Sequence, residues 1–196
     1  MLKEKYPEPP GPGTERVMFI GSSQTWGEGA AKEEDTFVHL TEKILNRTFS
    51  GRKHVECINA GVRGSDSSRL FEYYNEKWVS YGHKLLIINL SSNLIDEDTF
   101  YTDITAFINL NRQKSIDTLL VLEANSPENG TGVLELHKVM IRAGKEEGVP
   151  VIDLHSYMRE NHDKGIAWWD FVHMTSFGHR PAAEFFADYI LKSAKN

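Results

Sequence analysis

Asp170 and His173 stand three residues apart in Asp170-Phe171-Val172-His173, a spacing at which a carboxylate and an imidazole project from one turn and hydrogen-bond. An imidazole held in that way can take a proton from a serine hydroxyl. Hydroxyls are concentrated in another short stretch, Gly21-Ser22-Ser23-Gln24-Thr25-Trp26-Gly27, where two glycines bracket three of them. Two more stretches offer donors to a developing negative charge. In Asn59-Ala60-Gly61-Val62-Arg63-Gly64-Ser65, closely spaced glycines let backbone N–H groups face a cleft, and Gly64 lies just ahead of an expected helix. In Leu90-Ser91-Ser92-Asn93-Leu94 the side-chain amide of Asn93 could donate to an oxyanion. Each feature alone has a plain structural reading: capping serines, a turn glycine, a turn asparagine, a surface Asp and His pair. Their common order along the chain, each at the end of an expected element, is what makes the set informative.

Those elements follow from hydrophobic patterning. Five short runs, 17–20, 55–59, 85–90, 118–123 and 149–154, are nearly all apolar, as strands are when helices cover both faces. Between them apolar residues recur at helical spacing. Phe37, Leu40, Ile44 and Leu45 do so behind a cap expected at Asp35; Leu70, Tyr73, Tyr74 and Trp78 do so behind Ser65 or Ser67. Phe100, Ile104, Phe107 and Ile108 form a third face, and Val133, Leu136, Val139, Met140 and Ala143 a fourth. A last helix is expected over 181–193, with Pro181 in its first turn. Strands alternating with helices through right-handed crossovers give an α/β fold: a flavodoxin-like three-layer α/β/α sandwich on a five-stranded parallel sheet of order 2-1-3-4-5. Ligands in such folds bind beyond the carboxyl ends of the strands, where three of the four stretches fall, while Asp170 to His173 lies near the C-terminus ahead of the last helix.

Composition narrows the function classes. With 40% hydrophobic and 26% charged residues in 196, the chain reads as one globular domain over 16–196. Four of the seven prolines lie in the first thirteen residues beside Gly11 and Gly13, so residues 1–15 read as an arm or linker. A net charge of −6 with dispersed Lys and Arg gives no reason to expect a nucleic-acid partner. The single cysteine, Cys57, lies in an apolar run and reads as a buried strand thiol. No apolar run approaches the roughly 20 residues needed to span a bilayer, and Met1 to Pro10 lacks a signal-peptide core. Cytoplasmic location is the default expectation, unless a signal or anchor ahead of the arm has been removed. No His-Glu-x-x-His spacing occurs, and no metal or cofactor is expected; His155 near Asp153 and His179 near His173 are the pairs that come nearest to a weak metal site.

Taken together, the four stretches resemble the motif blocks of the SGNH (GDSL-like) hydrolases, a family of esterases and lipases. The first block, usually Gly-Asp-Ser-x-Thr-x-Gly, is matched by Gly21 to Gly27 except at Ser22, where aspartate is usual. The resemblance implies that Ser23 is the nucleophile of a triad with Asp170 and His173, which match the Asp-x-x-His block. It implies too that the oxyanion hole is formed by the N–H groups of Ser23 and Gly64 with the amide of Asn93. Ser91 and Leu94 depart from the Gly-x-Asn-Asp block, which has glycine and aspartate there. The likeness runs from about Arg16 to Ile190. Trp26, Trp168 and Trp169, next to these motifs, are expected in the pocket wall.

The expected reaction is hydrolysis of small or short-chain esters through an acyl-enzyme, with carbohydrate O-acetyl groups among the substrates; no long insertion resembles a lipase lid. The absence of Gly-x-Ser-x-Gly around Ser23 argues against an α/β-hydrolase elbow. Two other readings stand beside it. One is a flavodoxin-like module whose Ser22 to Thr25 loop cradles a flavin phosphate; the other is a catalytically degenerate SGNH domain that binds an acylated glycan.

Overall fold

The computed structural model of the protein describes residues 8–91, 93, 95–126, 133–161 and 166–194. Five parallel strands run β1 (Thr14–Gly21), β2 (His54–Gly61), β3 (His83–Asn89), β4 (Asp117–Leu122) and β5 (Val151–Asp153). They form one sheet of order β2-β1-β3-β4-β5, the order the sequence predicts. Alternation along β1, which pairs with a strand on each side, divides the core into two halves. Met18 and Ile20 of β1 face one half, which is filled from α3 (Ser67–Glu76), α4 (Glu97–Lys114) and α5 (Val133–Glu147). Val17 and Phe19 face the other, filled from α2 (Phe37–Phe49), α6 (Leu154–Asn161) and α7 (Ser176–Ser193). The result is a three-layer α/β/α sandwich. Cys57 is a buried free thiol on β2, and burial pushes its pKa up. No helix among the described residues is long and apolar enough to cross a membrane.

Helix starts differ from the sequence expectations for identifiable reasons. The cap of α2 is Thr36, whose side chain accepts the His39 N–H; Asp35 instead belongs to a 3₁₀ turn just before it. The cap of α3 is Asp66, between the two serines expected there, and it accepts the Arg69 N–H at 2.9 Å. The last helix begins at Ser176, capped by Thr175, five residues before Pro181. Proline is therefore interior to α7 and leaves the Phe177 carbonyl without its usual N–H partner. β5 is only three residues long because Leu154 already opens α6.

The carboxyl ends of β1, β2 and β3 meet closely. A single helical turn, α1 (Ser23–Trp26), follows β1 at once, and a Cβ added at Gly61 of β2 would come within 2.1 Å of the Trp26 nitrogen. Only glycine lets the neighbouring strand pass under that turn.

Candidate active site

Ser23 is the first residue of α1 and is held where β1 ends by bonds from the residues after it. Gln24 Nε2 donates to the Ala124 carbonyl at 2.6 Å, and Asn89 Nδ2 donates to Thr25 Oγ1 at 3.3 Å. Ser22, directly before, is fully buried, and its Oγ has no hydrogen-bond partner among the described residues. The two adjacent serines therefore differ in exposure. Ser23 Oγ lies 2.8 Å from His173 Nε2, while Ser22 is packed inside.

The histidine is presented by a tight loop ahead of α7. Trp168 bridges to Met174, the Trp169 N–H donates to the His173 carbonyl at 2.7 Å, and the Thr175 N–H donates to the Ala167 carbonyl at 3.0 Å. Within this closed turn His173 Nδ1 lies 2.7 Å from Asp170 Oδ2. The other oxygen, Asp170 Oδ1, accepts the N–H groups of Val172 and His173, each at 2.8 Å. Burial pushes the Asp170 pKa up, but the hydrogen bonds from the His173 ring and the two backbone N–H groups outweigh it, and the net shift is down. A carboxylate only accepts, so Nδ1 carries the imidazole proton and the Nε2 lone pair faces the serine hydroxyl.

The two other predicted donors lie in loops that are tied together. Asn93 Nδ2 donates to the carbonyl of Ser65, the residue after Gly64. An amide nitrogen carries two protons, so one remains for a ligand. Gly64 has φ +67°, and nothing lies within 4 Å of where its Cβ would be. That conformation suits glycine and leaves its surroundings open to an incoming group. Ser23 N–H, at the start of α1, has no acceptor within the turn. If Asn93 is an oxyanion donor, Asn93→Ala lowers kcat by about 10²–10³ with the fold intact. Steady-state kinetics check this; an unchanged kcat would reduce Asn93 to a loop tie.

The three tryptophans are placed differently from one another. Trp26 is 41% exposed and Trp169 is 71% exposed, whereas Trp168 packs against the α2/α7 half of the core with its Nε1 buried. Ile166, Phe171 and Phe177 are also exposed, so most of the exposed large hydrophobic surface among the described residues surrounds the Asp170 and His173 loop. The sequence reading passed over these, and over Gln24, because an isolated apolar or amide residue in a loop carries no periodic signal. A cavity of about 800 Å³ lies at the opposite, amino ends of the strands, lined by Val17, Val55, Leu85 and Leu119 among others. It is far from the serine, because β1 runs from one to the other. Ser92 and Leu94 lie outside the described residues.

Known proteins share this arrangement of strands. The lipase/acylhydrolase from Enterococcus faecalis superposes with a TM-score of 0.71 at 19% identity, covering 90% of this chain and 95% of that one. An acetyl xylan esterase, AlAXEase, superposes with a TM-score of 0.73 at 19% identity, covering 89% and 99%. A two-domain esterase active on acetylated mannans, co-crystallized with mannopentaose, gives a TM-score of 0.76 at 19% identity, with 93% of this chain matching 50% of that one. Identities this low speak for the fold. No curated protein matches the sequence at a significant level. The sequence itself matches the GDSL-like Lipase/Acylhydrolase family over residues 19–180, from within β1 to the start of α7, and the chain belongs to that family.

Proposed function

We propose that the protein is a serine esterase that hydrolyses small or short-chain acyl esters, O-acetyl groups on carbohydrates among them. The observation that carries this reading is the continuous chain from Ser23 Oγ to His173 Nε2 at 2.8 Å and from His173 Nδ1 to Asp170 Oδ2 at 2.7 Å. As Ser23 Oγ attacks an ester carbonyl carbon, His173 Nε2 takes its proton, and Asp170 holds the ring and balances the imidazolium. The carbonyl oxygen becomes an oxyanion facing the N–H groups of Ser23 and Gly64 and the Asn93 amide. Collapse expels the alcohol, which takes the proton from His173. Water, deprotonated by the same nitrogen, then attacks the acyl-enzyme, and a second collapse restores Ser23.

Support for a carbohydrate ester comes from two sides. Trp26 on the nucleophile turn and Trp169 beside Asp170 are exposed aromatics of the kind that stack on sugar rings. Two of the similar structures are esterases of acetylated xylan and mannan. The flavin-phosphate alternative is weakened by burial, because Ser22 and Thr25 are both fully enclosed and cannot cradle a ligand. The degenerate alternative draws on Ser22, Ser91 and Leu94, but those departures leave Ser23, His173 and Asp170 in hydrogen-bonding order.

A panel of p-nitrophenyl esters of increasing chain length, with acetylated xylo- and manno-oligosaccharides, tests the proposal. Turnover should be fastest for acetate and butyrate and should release acetate from the sugars. Absence of turnover throughout, with no labelling of Ser23 by a fluorophosphonate, would favour the glycan-binding domain instead.

A further inference from the structure

A sealed polar cluster, unused by the chemistry above, lies behind the loop that carries Asn93. Glu123, the residue just past β4, is fully buried, and its Oε2 accepts the backbone N–H of Ser91 at 2.7 Å. Ser91 is itself buried, and its Oγ lies 3.0 Å from His137 Nε2 on α5. The same nitrogen lies 3.1 Å from the Glu123 main-chain carbonyl. A carbonyl only accepts, so Nε2 carries the proton and the Ser91 hydroxyl accepts a share of it. The His155 ring packs edge-on against His137 at 5.2 Å, and its Nδ1 accepts the Asn125 N–H at 3.3 Å. Burial lowers both imidazoles, His137 to about 4, so this wall is built of neutral rings.

The segment Glu123 to Ser126 touches three loops of the site. Besides holding Ser91, two residues before Asn93, it receives Gln24 Nε2 on the Ala124 carbonyl at 2.6 Å, next to Ser23. Its Ser126 N–H donates to the carbonyl of Phe171 at 3.1 Å, between Asp170 and His173. Four consecutive residues therefore connect the nucleophile turn, the oxyanion loop and the acid–base loop. A fully buried glutamate is uncommon unless its oxygens are put to use, and the Ser91 N–H is one group that Oε2 accepts. Ser91 stands where the family resemblance expects glycine, and its hydroxyl supplies the additional contact to His137.

We propose that Glu123 is a positioning residue for the oxyanion hole: its carboxylate fixes Ser91, braced by His137, and thereby sets where Asn93 stands relative to Ser23. This rests on the esterase reading. Because Glu123 would act through Asn93, its effect should vanish when Asn93 is already gone.

A double-mutant cycle on the full chain reads this directly. Glu123→Leu should lower kcat by about 10- to 100-fold with KM within about threefold, the signature of a displaced transition-state donor. In an Asn93→Ala background the same change should cost less than about threefold. Glu123→Gln, which keeps the volume and an accepting oxygen, covers the case in which leucine prevents folding; it should show a smaller loss that is likewise confined to the Asn93-containing protein. Equal losses in both backgrounds, or an unchanged kcat in folded Glu123 variants, would overturn the positioning role while leaving the esterase reading in place. No turnover by the unaltered protein would remove both.

Discussion

Ser23→Ala is expected to lower kcat by about 10⁴-fold or more, while Ser22→Ala costs far less. The two serines are adjacent and chemically identical, so the contrast tests geometry alone. Ser23 Oγ sits 2.8 Å from the His173 nitrogen that has a lone pair to offer, with Asp170 behind it. Ser22 Oγ is fully enclosed and has no hydrogen-bond partner among the described residues, so its removal takes away a buried polar atom and touches no reacting group. Deleting an unpaired buried hydroxyl is close to neutral for stability or slightly favourable. The Ser22 variant should therefore keep its melting temperature and most of its turnover. Mass spectrometry after organophosphate labelling gives an independent readout. An adduct on Ser22, or a Ser23→Ala protein retaining most of its esterase activity, would break the proposed triad.

Much of this arrangement was legible in the sequence because it is local. Asp170 and His173 interact across three residues, and the carboxylate closes on the N–H groups of Val172 and His173, so spacing alone is a usable guide. The strand order was legible because strands covered on both faces are apolar throughout, and few topologies accommodate five of them with right-handed crossovers. The start of α7 was not. Pro181 reads as a first-turn residue by preference, but Thr175, at the end of the Asp170 and His173 loop, accepts the Phe177 and Gly178 N–H groups, which places the cap six residues before that proline. Glu123 was illegible for a different reason. A glutamate after a strand looks like a solvated end, and only tertiary structure shows it enclosed with Ser91, His137 and His155. Trp168 and Trp169 are indistinguishable by type; Trp168, bridged to Met174, packs against the core, while Trp169 beside it is exposed.

Acid is expected to unfold the protein well above the range in which carboxylates titrate. Burial, the leading cause in each case, lowers His83, His137 and His179 from 6.5 to about 4. Each ring is buried, so charging it means desolvating that charge. The Tyr74 hydroxyl donates to Asn111 Oδ1, so His83 Nε2 donates to that hydroxyl, and Arg16 opposes any charge on the ring. His179 Nδ1 accepts the Phe37 N–H at 3.2 Å while its ring lies against Phe37, which joins α7 to α2. Protonation would turn that accepting nitrogen into a donor facing a donor. Between pH 6.5 and 4 the unfolded chain therefore binds protons that the native protein does not. The stability these rings contribute is fully present above the unfolded value and is lost as pH falls through this window. Three such groups give a slope of at most about 4 kcal/mol per pH unit near the middle of the range. The lowered Asp170 acts in the same direction, but only below the ordinary carboxylate value of 3.8, so it does not confuse the measurement. Urea denaturation at closely spaced pH values gives the slope, and His83→Gln should reduce it by about one third if the rings act separately. Stability that stays level from pH 6.5 to 4.5 would mean that these histidines charge without unfolding the core.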